Sequence, residues 1–425
     1  MAALKSRVVG SIRPPGDKSI SHRALILGAL ARGKSRITHI LDSADVRSTA
    51  ESLRALGADI PPLSDDFYVT GKSSRFLTPP RKHLDCGNSG TTTRLMAGVI
   101  AGAGLTATFV GDASLSRRPM RRVAEPLRAM GAKVDLASHD GLPMVVRSGP
   151  LRPVEWTSSV ASAQVKSAIL LAALTGGVQA TVREPHLSRD HTERMLLARG
   201  VSLHRYASGR TVEIEAGQIL RPEDVSVPAD PSSAAFFAAF AVMSRAGEIR
   251  LTDVCLNETR TGFFDVLLAM GGRLEVQNQR EEQGELVGDI VASASGLNGV
   301  VVSAGKVPTM IDELPLFACV AARAAGASEV RGASELRVKE SDRIATLVSN
   351  LRRLGADAEE LTDGFRIVGS DAPLRGRVTT HGDHRIAMSF GILAALPGND
   401  IEIDDRDCVA VSYPGFWRDL ETVSR

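Results

Sequence analysis

A pattern that recurs about every 71 residues runs the length of this chain and limits its fold more than any other feature. Six segments rich in small apolar residues each run into a Gly and then a short β-branched stretch. They are SHRALILGALARGKSRI, TTRLMAGVIAGAGLTATF, AQVKSAILLAALTGGVQATV, SSAAFFAAFAVMSRAGEIRL, ELPLFACVAARAAGASEV and HRIAMSFGILAALPGNDIEI. Their glycines, Gly33, Gly104, Gly177, Gly247, Gly326 and Gly398, stand 71, 73, 70, 79 and 72 residues apart. A second signature, an amphipathic segment closed by Gly, recurs in SLRALGADI, PLRAMGAKVDL, MLLARGVSLH, VLLAMGGRLEV and NLRRLGADAEE, with a sixth copy in FWRDLETVSR. Each unit reads as strand, apolar helix, strand, amphipathic helix, strand, strand. The apolar helices lack a polar face and belong inside a domain, whereas segments such as RRVAEPLRAMGA carry one charged face and belong outside. Gly after an amphipathic helix fits a left-handed C-terminal cap. Six units are compatible with an open solenoid or with two closed domains of three; solenoid repeats run to roughly 20–45 residues, so this period favours the compact pair.

Composition removes several function classes. The 51 Lys and Arg nearly balance 49 Asp and Glu, and 43% hydrophobic residues suffice for large cores. With 12 Phe, 3 Tyr and 2 Trp the chain lacks the aromatic platforms of single-strand binders, so nucleic acid is not expected as a partner. Cys86, Cys255, Cys319 and Cys408 are scattered without CxxC spacing, which predicts a reduced compartment and no structural zinc. The longest apolar run, Ala234 to Met243, is half what a bilayer requires, and the first residues lack a secretory apolar core. A cytoplasmic protein with no membrane partner is expected.

In the apolar segments the polar residues gather at the N-terminal ends: GDKSISHR, GNSGTTTR, SSVASAQVK, ADPSSAA, IDELP and GDHR. Helix N-termini offer unpaired N–H groups and partial positive charge, a natural place for an anion. Capping alone accounts for Asp230 and Ser232. Cations there are different, because Lys or Arg in a first turn opposes the helix dipole by roughly 0.3–1 kcal/mol. Lys18 and Arg23 in the first helix, Arg343 after Lys339 and Glu340, and Arg385 in GDHRI recur in equivalent places, which favours a bound anion over a solvated charge. Ser19 and Arg23 are four apart, as are Lys339 and Arg343, predicting one helical face for each pair. Arg118, before Pro119, is expected at the start of an amphipathic helix with the Pro as its first residue. Asp312 and Glu340 stand out as carboxylates in this basic set. A carboxylate beside bound anions is held toward its protonated form and can trade a proton near neutrality. For Asp312 the competing reading is an N-cap, and for Cys86 in DCGNSG a buried structural thiol. GNSGTTTR lacks the GK[ST] ending of a nucleotide-phosphate loop, and His22, His191 and His384 are too scattered to argue a metal.

Eight motifs in order, GDKSISHRALILGALA, GNSGTTTRLMAG, LSRRPM, ASAQVKSAILLAAL, LSRDHTE, DELP, LRVKESDRI and GDHRIAM, spanning residues 15–415, resemble the 3-phosphoshikimate 1-carboxyvinyltransferase (5-enolpyruvylshikimate-3-phosphate synthase) family. The resemblance implies an α/β fold of two similar domains, each of three β-α-β-α-β-β units, the inverse α/β barrel of enolpyruvyl transferases, with its active site in the interdomain cleft. Residues 15–227 would form one domain, and 1–14 with 228–425 the other. It implies enolpyruvyl transfer from phosphoenolpyruvate to the 5-hydroxyl of shikimate 3-phosphate, with loss of phosphate through a tetrahedral intermediate, no cofactor or metal, and a monomeric enzyme of aromatic amino-acid biosynthesis. Lys18, Ser19, Arg23, Ser162, Gln164, Arg189, Asp312 and Lys339 would contact shikimate 3-phosphate. Lys18, Gly90, Arg118, Gln164, Arg343 and Arg385 would hold phosphoenolpyruvate. Asp312 is the implied base, and Glu340 with Lys18 the proton donors. Three departures stand out: Val411 replaces a Lys of some members, Ala163 replaces a Ser, and RDHTE replaces a Tyr-containing segment, which passes a phosphate contact to Arg189. Glyphosate is the implied inhibitor, and Gly90 rather than Ala implies sensitivity. The alternatives are enolpyruvyl transfer to UDP-N-acetylglucosamine, disfavoured because GDASLSRRPM lacks a Cys, and a catalytically dead anion-binding scaffold of the same fold.

Overall fold

The computed structural model describes residues 7–424, so residues 1–6 and 425 of the domain expected from 1–14 with 228–425 lie outside the described residues. The chain divides into two units. An N-terminal unit holds Gly16–Val227 with Glu282–Glu285, and a C-terminal unit holds the chain up to Pro15, Pro228–Glu281 and the stretch from Leu286 onward.

In the N-terminal unit the helices are α1 (Lys18–Leu30), α2 (Ala44–Ala55), α3 (Gly90–Gly102), α4 (Ala113–Ser116), α5 (Arg121–Met130), α6 (Ala163–Gly176) and α7 (His191–Ala198). In the C-terminal unit they are α8 (Pro231–Met243), α9 (Gly262–Ala269), α10 (Leu314–Ala321), α11 (Arg343–Arg353), α12 (His384–Ala395) and α13 (Phe416–Val423). The six apolar segments are α1, α3, α6, α8, α10 and α12, buried along almost their whole length. The amphipathic segments are α2, α5, α7, α9, α11 and α13, which bury one side each. Close packing inside the N-terminal unit rests on small residues: a Cβ on Gly98 of α3 would stand 2.2 Å from the Ala168 carbonyl of α6, so only glycine admits that approach. The C-terminal unit instead fills its core with rings, Phe236, Phe237, Tyr413 and Phe416, at centroid separations of 5.7–5.9 Å.

Among the described residues the strands form six separate small sheets with one recurring plan. The strand before an apolar helix pairs in parallel with the strand after it, and antiparallel strands extend every sheet except the two-stranded one of Arg375–Val378 and Asp400–Ile403 that flanks α12. Leu84–Asp85 and Thr106–Val110 flank α3, Val154–Thr157 and Ala180–Arg183 flank α6, and Val301–Val302 and Ala327–Val330 flank α10. At two places the plan is exchanged. Arg7–Ile12, which leads to α1, pairs with Ala246–Cys255, which follows α8. Val225–Ser226, which leads to α8, pairs with Arg32–Thr38, which follows α1. That swap is why the chain begins in one unit and returns to it after the other is built.

The structure corrects some local expectations. Gly131 caps α5 in the left-handed conformation, as expected after an amphipathic helix, whereas the apolar helices α1 and α8 stop short of Gly33 and Gly247, which lie in strands, and end at Ala31 and Ser244 in extended conformation. Pro119 is not the first residue of α5; that helix starts at Arg121 after Met120, and Arg118 sits in the turn following α4. Lys339 and Arg343 share no helical face either. Lys339 closes a 3-10 turn, Ser334–Val338, and α11 begins only at Arg343.

Candidate functional site

In the N-terminal unit the polar ends of α1, α2, α3, α6 and α7 are tied together. Asp17 caps α1 by accepting from the Ile20 amide at 2.8 Å, which places Lys18 in the first turn. The Lys18 ammonium pairs with Asp45 in the first turn of α2. Arg23, one turn further, is nearly buried and donates through Nε to Thr192 Oγ1 (2.6 Å), through Nη2 to Ser167 Oγ (2.8 Å) and through Nη1 to the Ser19 carbonyl (2.9 Å). Ser19 and Arg23 therefore do share a face. Beside Arg23, His22 is fully buried and its Nδ1 lies 2.6 Å from Thr49 Oγ1, which lies 2.7 Å from Thr92 Oγ1 on α3. Burial, and then the charges of Lys18 and Arg23, push His22 well below its ordinary pKa and keep it neutral.

Gly90 is the first residue of α3, and Ser89 caps that helix. Around it Gln164 of α6 is clamped: Arg94 donates to its Oε1 at 2.6 Å, and its Nε2 donates to Thr91 Oγ1 at 2.9 Å. Arg118 donates to the Asn88 carbonyl and side-chain oxygen and to Ser114 Oγ. Ser162 caps α6, while Ala163 opens it, and Arg189 is half-buried in the loop before α7. Cys86 is fully buried and burial raises its thiol to about 12, so the structural reading of that residue holds.

In the C-terminal unit the ends of α10, α11 and α12 build a cage of opposite character. Arg343, 1% exposed, opens α11. It donates to both carboxylate oxygens of Asp383 at 2.8 and 3.2 Å and to Glu340 at 2.6 Å, and its Nη1 lies 3.7 Å from Asp312. Burial works against this charge, but Asp383, Glu340 and Asp312 outweigh it and raise the guanidinium above its ordinary pKa. Lys339 Nζ is also 3.7 Å from Asp312. Asp383 is the cap of α12, accepting from the Arg385 amide at 2.9 Å, and it takes a fourth bond from Ser341 Oγ at 3.0 Å. Asp312 is not a cap. Helix α10 starts at Leu314 behind Glu313, leaving the Asp312 carboxylate among the cations. Glu313 is buried; burial and then its neighbour Asp312 raise its pKa against the pull of Arg385 and Arg260. Arg385 lies over the Phe236 ring at 5.9 Å, and Val411 ends a 3-10 turn, Asp407–Val411. Asp230 caps α8 as expected and also accepts from Arg260 at 2.9 Å.

The structure thus brings Lys18, Ser19, Arg23, Gly90, Arg118, Ser162 and Gln164 onto neighbouring helix ends of one unit, and Asp312, Lys339, Glu340, Arg343 and Arg385 onto those of the other. Sequence reasoning missed the partners that hold them: Asp45, Arg94, Asn88, Ser167, Thr192 and Asp383. All but Asp45 stood inside quoted motifs, and for Asp383 in GDHR the capping chemistry of a helix start was the available signal.

Two α/β units carrying cations and carboxylates at helix N-termini define the class of the enolpyruvyl transferases. The fold of NikO, an enolpyruvyl transferase from Streptomyces tendae, matches with a TM-score of 0.75 over 98% of this chain and 95% of that one at 19% identity, a likeness of fold alone. EPSP synthase from Acinetobacter baumannii matches with a TM-score of 0.86 at 37% identity, over 98% of this chain and 96% of that one. The 3-phosphoshikimate 1-carboxyvinyltransferase of Sulfurihydrogenibium sp. (strain YO3AOP1) is 48% identical over 423 residues, 99% of this chain and 98% of the relative. That of Aquifex aeolicus (strain VF5) is 46% identical over 418 residues, 97% of each. The model of the family EPSP synthase (3-phosphoshikimate 1-carboxyvinyltransferase) matches residues 3–420, and the chain belongs to that family.

Proposed function

We propose that this chain transfers the enolpyruvyl group of phosphoenolpyruvate to the 5-hydroxyl of shikimate 3-phosphate, releasing phosphate, as a step of aromatic amino-acid biosynthesis. The observation that carries the reading is the carboxylate cage at Arg343, which sets Asp312 beside two cations and off the helix it was expected to cap. Both constellations act on one pair of substrates. Lys18, Ser19, Arg23, Ser162, Gln164, Arg189 and Lys339 bind shikimate 3-phosphate; Lys18, Gly90, Arg118, Gln164, Arg343 and Arg385 bind phosphoenolpyruvate. Asp312 accepts the proton of the 5-hydroxyl as that oxygen attacks C2 of phosphoenolpyruvate, while Glu340 and Lys18 deliver a proton to the C3 methylene. The tetrahedral adduct then loses phosphate and one methyl proton, restoring the double bond. Fixed guanidinium groups stabilise the phosphate as it departs, without reorganising. The neutral Val411 leaves this work to Arg118, Arg343 and Arg385. Glyphosate occupies the phosphoenolpyruvate position in this reading, and the enzyme is a cytoplasmic monomer.

Phosphate release by the purified protein, measured with phosphoenolpyruvate and either shikimate 3-phosphate or UDP-N-acetylglucosamine, tests the reading. Release with shikimate 3-phosphate alone is expected. Release with the nucleotide sugar instead, or with neither, contradicts it.

A further inference from the structure

Helix α6 carries a buried ammonium in its first turn, just ahead of its long apolar stretch. Lys166 is 1% exposed, and its Nζ lies 2.9 Å from Glu184 and 2.8 Å from Glu193, both side chains equally buried. Burial opposes the Lys166 charge, but Glu193 and Glu184 outweigh it and raise its pKa above the ordinary lysine value. A buried ion pair is a poor way to stabilise a core, since apolar side chains of the same volume do as well or better. One carboxylate would also neutralise one lysine. The second therefore calls for a separate reason, and its other bonds supply one.

Glu184 reaches beyond Lys166 to two loops. Its Oε1 accepts the backbone N–H of Ser162, the cap of α6, at 2.8 Å. Its oxygens lie 2.9 and 2.7 Å from the Ser188 hydroxyl, which donates to the carboxylate from the residue just before Arg189. Glu193 differs, standing within α7 with Lys166 as its ion-pair partner.

We propose that Glu184 is a positioning residue for shikimate 3-phosphate: anchored on Lys166, it holds the Ser162 cap and the Arg189 loop in the arrangement that receives the ligand. The proposal rests on the functional reading above. It assigns Glu193 the counter-charge alone, so the two glutamates separate positioning from structure.

Glu184→Gln and Glu193→Gln each remove one negative charge from Lys166 and leave the other carboxylate to pair with it. The single amide oxygen of Glu184→Gln cannot serve both the Ser162 amide and the Lys166 ammonium. Ser188→Ala is a neutral change that cuts the Arg189-loop link alone. Shikimate 3-phosphate affinity by calorimetric titration, and KM for each substrate by phosphate release, are the readouts. Glu184→Gln should weaken shikimate 3-phosphate about tenfold and Ser188→Ala about threefold, the size expected for bonds to a charged acceptor. The KM for phosphoenolpyruvate should stay within about twofold in both, and Glu193→Gln should bind shikimate 3-phosphate within about twofold of wild type. Wild-type affinity in both Glu184→Gln and Ser188→Ala, or an equal loss in Glu193→Gln, overturns the proposal while an active wild type preserves the functional reading. A glutamine variant that fails to fold leaves Ser188→Ala to decide. A wild type silent with shikimate 3-phosphate removes both.

Discussion

The two units hold the arginines of the candidate site in different ways, although the N-terminal unit also pairs Lys18 with the Asp45 carboxylate. In the N-terminal unit Arg23, Arg94 and Arg118 are gripped by hydroxyl, amide and carbonyl oxygens of Thr192, Ser167, Gln164, Asn88 and Ser114. In the C-terminal unit Arg343 is gripped by the carboxylates of Asp383 and Glu340, with Asp312 close by. Neutral oxygens fix a guanidinium without cancelling its charge, which suits the capture of phosphate and carboxylate groups. A carboxylate cage cancels most of the charge and leaves acids and bases in contact, which suits proton transfer. In the proposed reading the same helix-end architecture is weighted toward binding in the N-terminal unit, which adds Lys18 as a proton donor, and toward proton transfer in the C-terminal unit, which adds Lys339, Arg343 and Arg385 as ligand contacts.

The comparison is most exposed at Asp312. Asp312→Asn should lower kcat by about 10²–10⁴-fold, the range for a general base, with both KM values within a few-fold. A loss confined to KM would erase the distinction between units. Next, Asp383→Ala strips the cage of its fully buried member and should destabilise the protein by about 3–5 kcal/mol in urea unfolding, because Arg343 is left as a buried charge short of its counter-ion. Little change would mean that the cage contributes nothing to holding Arg343.

A smaller effect sharpens the neutral side of the comparison. A Cβ on Gly90 would lie 2.6 Å from Arg94 Nη1 and 3.5 Å from Arg118 Nη1, so Gly90→Ala must displace the guanidinium that clamps Gln164. Glyphosate inhibition should weaken about tenfold, equivalent to ~1.4 kcal/mol. Equal inhibition constants for the two proteins would remove Gly90 from the binding surface. Smallest is the pH dependence from His22. Its folded pKa lies well below the unfolded value of about 6.5, so acidification protonates the unfolded chain first. Stability should therefore fall by about 1 kcal/mol between pH 7 and pH 5.5, and His22→Gln should flatten that slope. An unchanged slope would assign the acid sensitivity to other groups.

Much of this was legible in the sequence because it is local or periodic. The repeats mark the six buried helices, and the motif residues carry the ends of those helices. What was not legible depends on distance along the chain. Asp383 meets Arg343 forty residues away, and Asp45 meets Lys18 from the next helix. Lys166 broke the apolar pattern of α6, but its carboxylates come from a loop and from α7 and no spacing rule joins them. The exchange of Arg7–Ile12 with Val225–Ser226 is likewise a pairing between strands far apart in sequence. Helix starts misled where a 3-10 turn or an extra residue intervened, at Lys339 and at Pro119.

The division between binding and chemistry is tested most directly by titrating shikimate 3-phosphate into Arg23→Met and Asp312→Asn side by side. Arg23→Met should lose at least about tenfold in affinity, and Asp312→Asn should stay within about threefold of wild type while turning over hardly at all. Intact affinity in Arg23→Met with lost affinity in Asp312→Asn would contradict it.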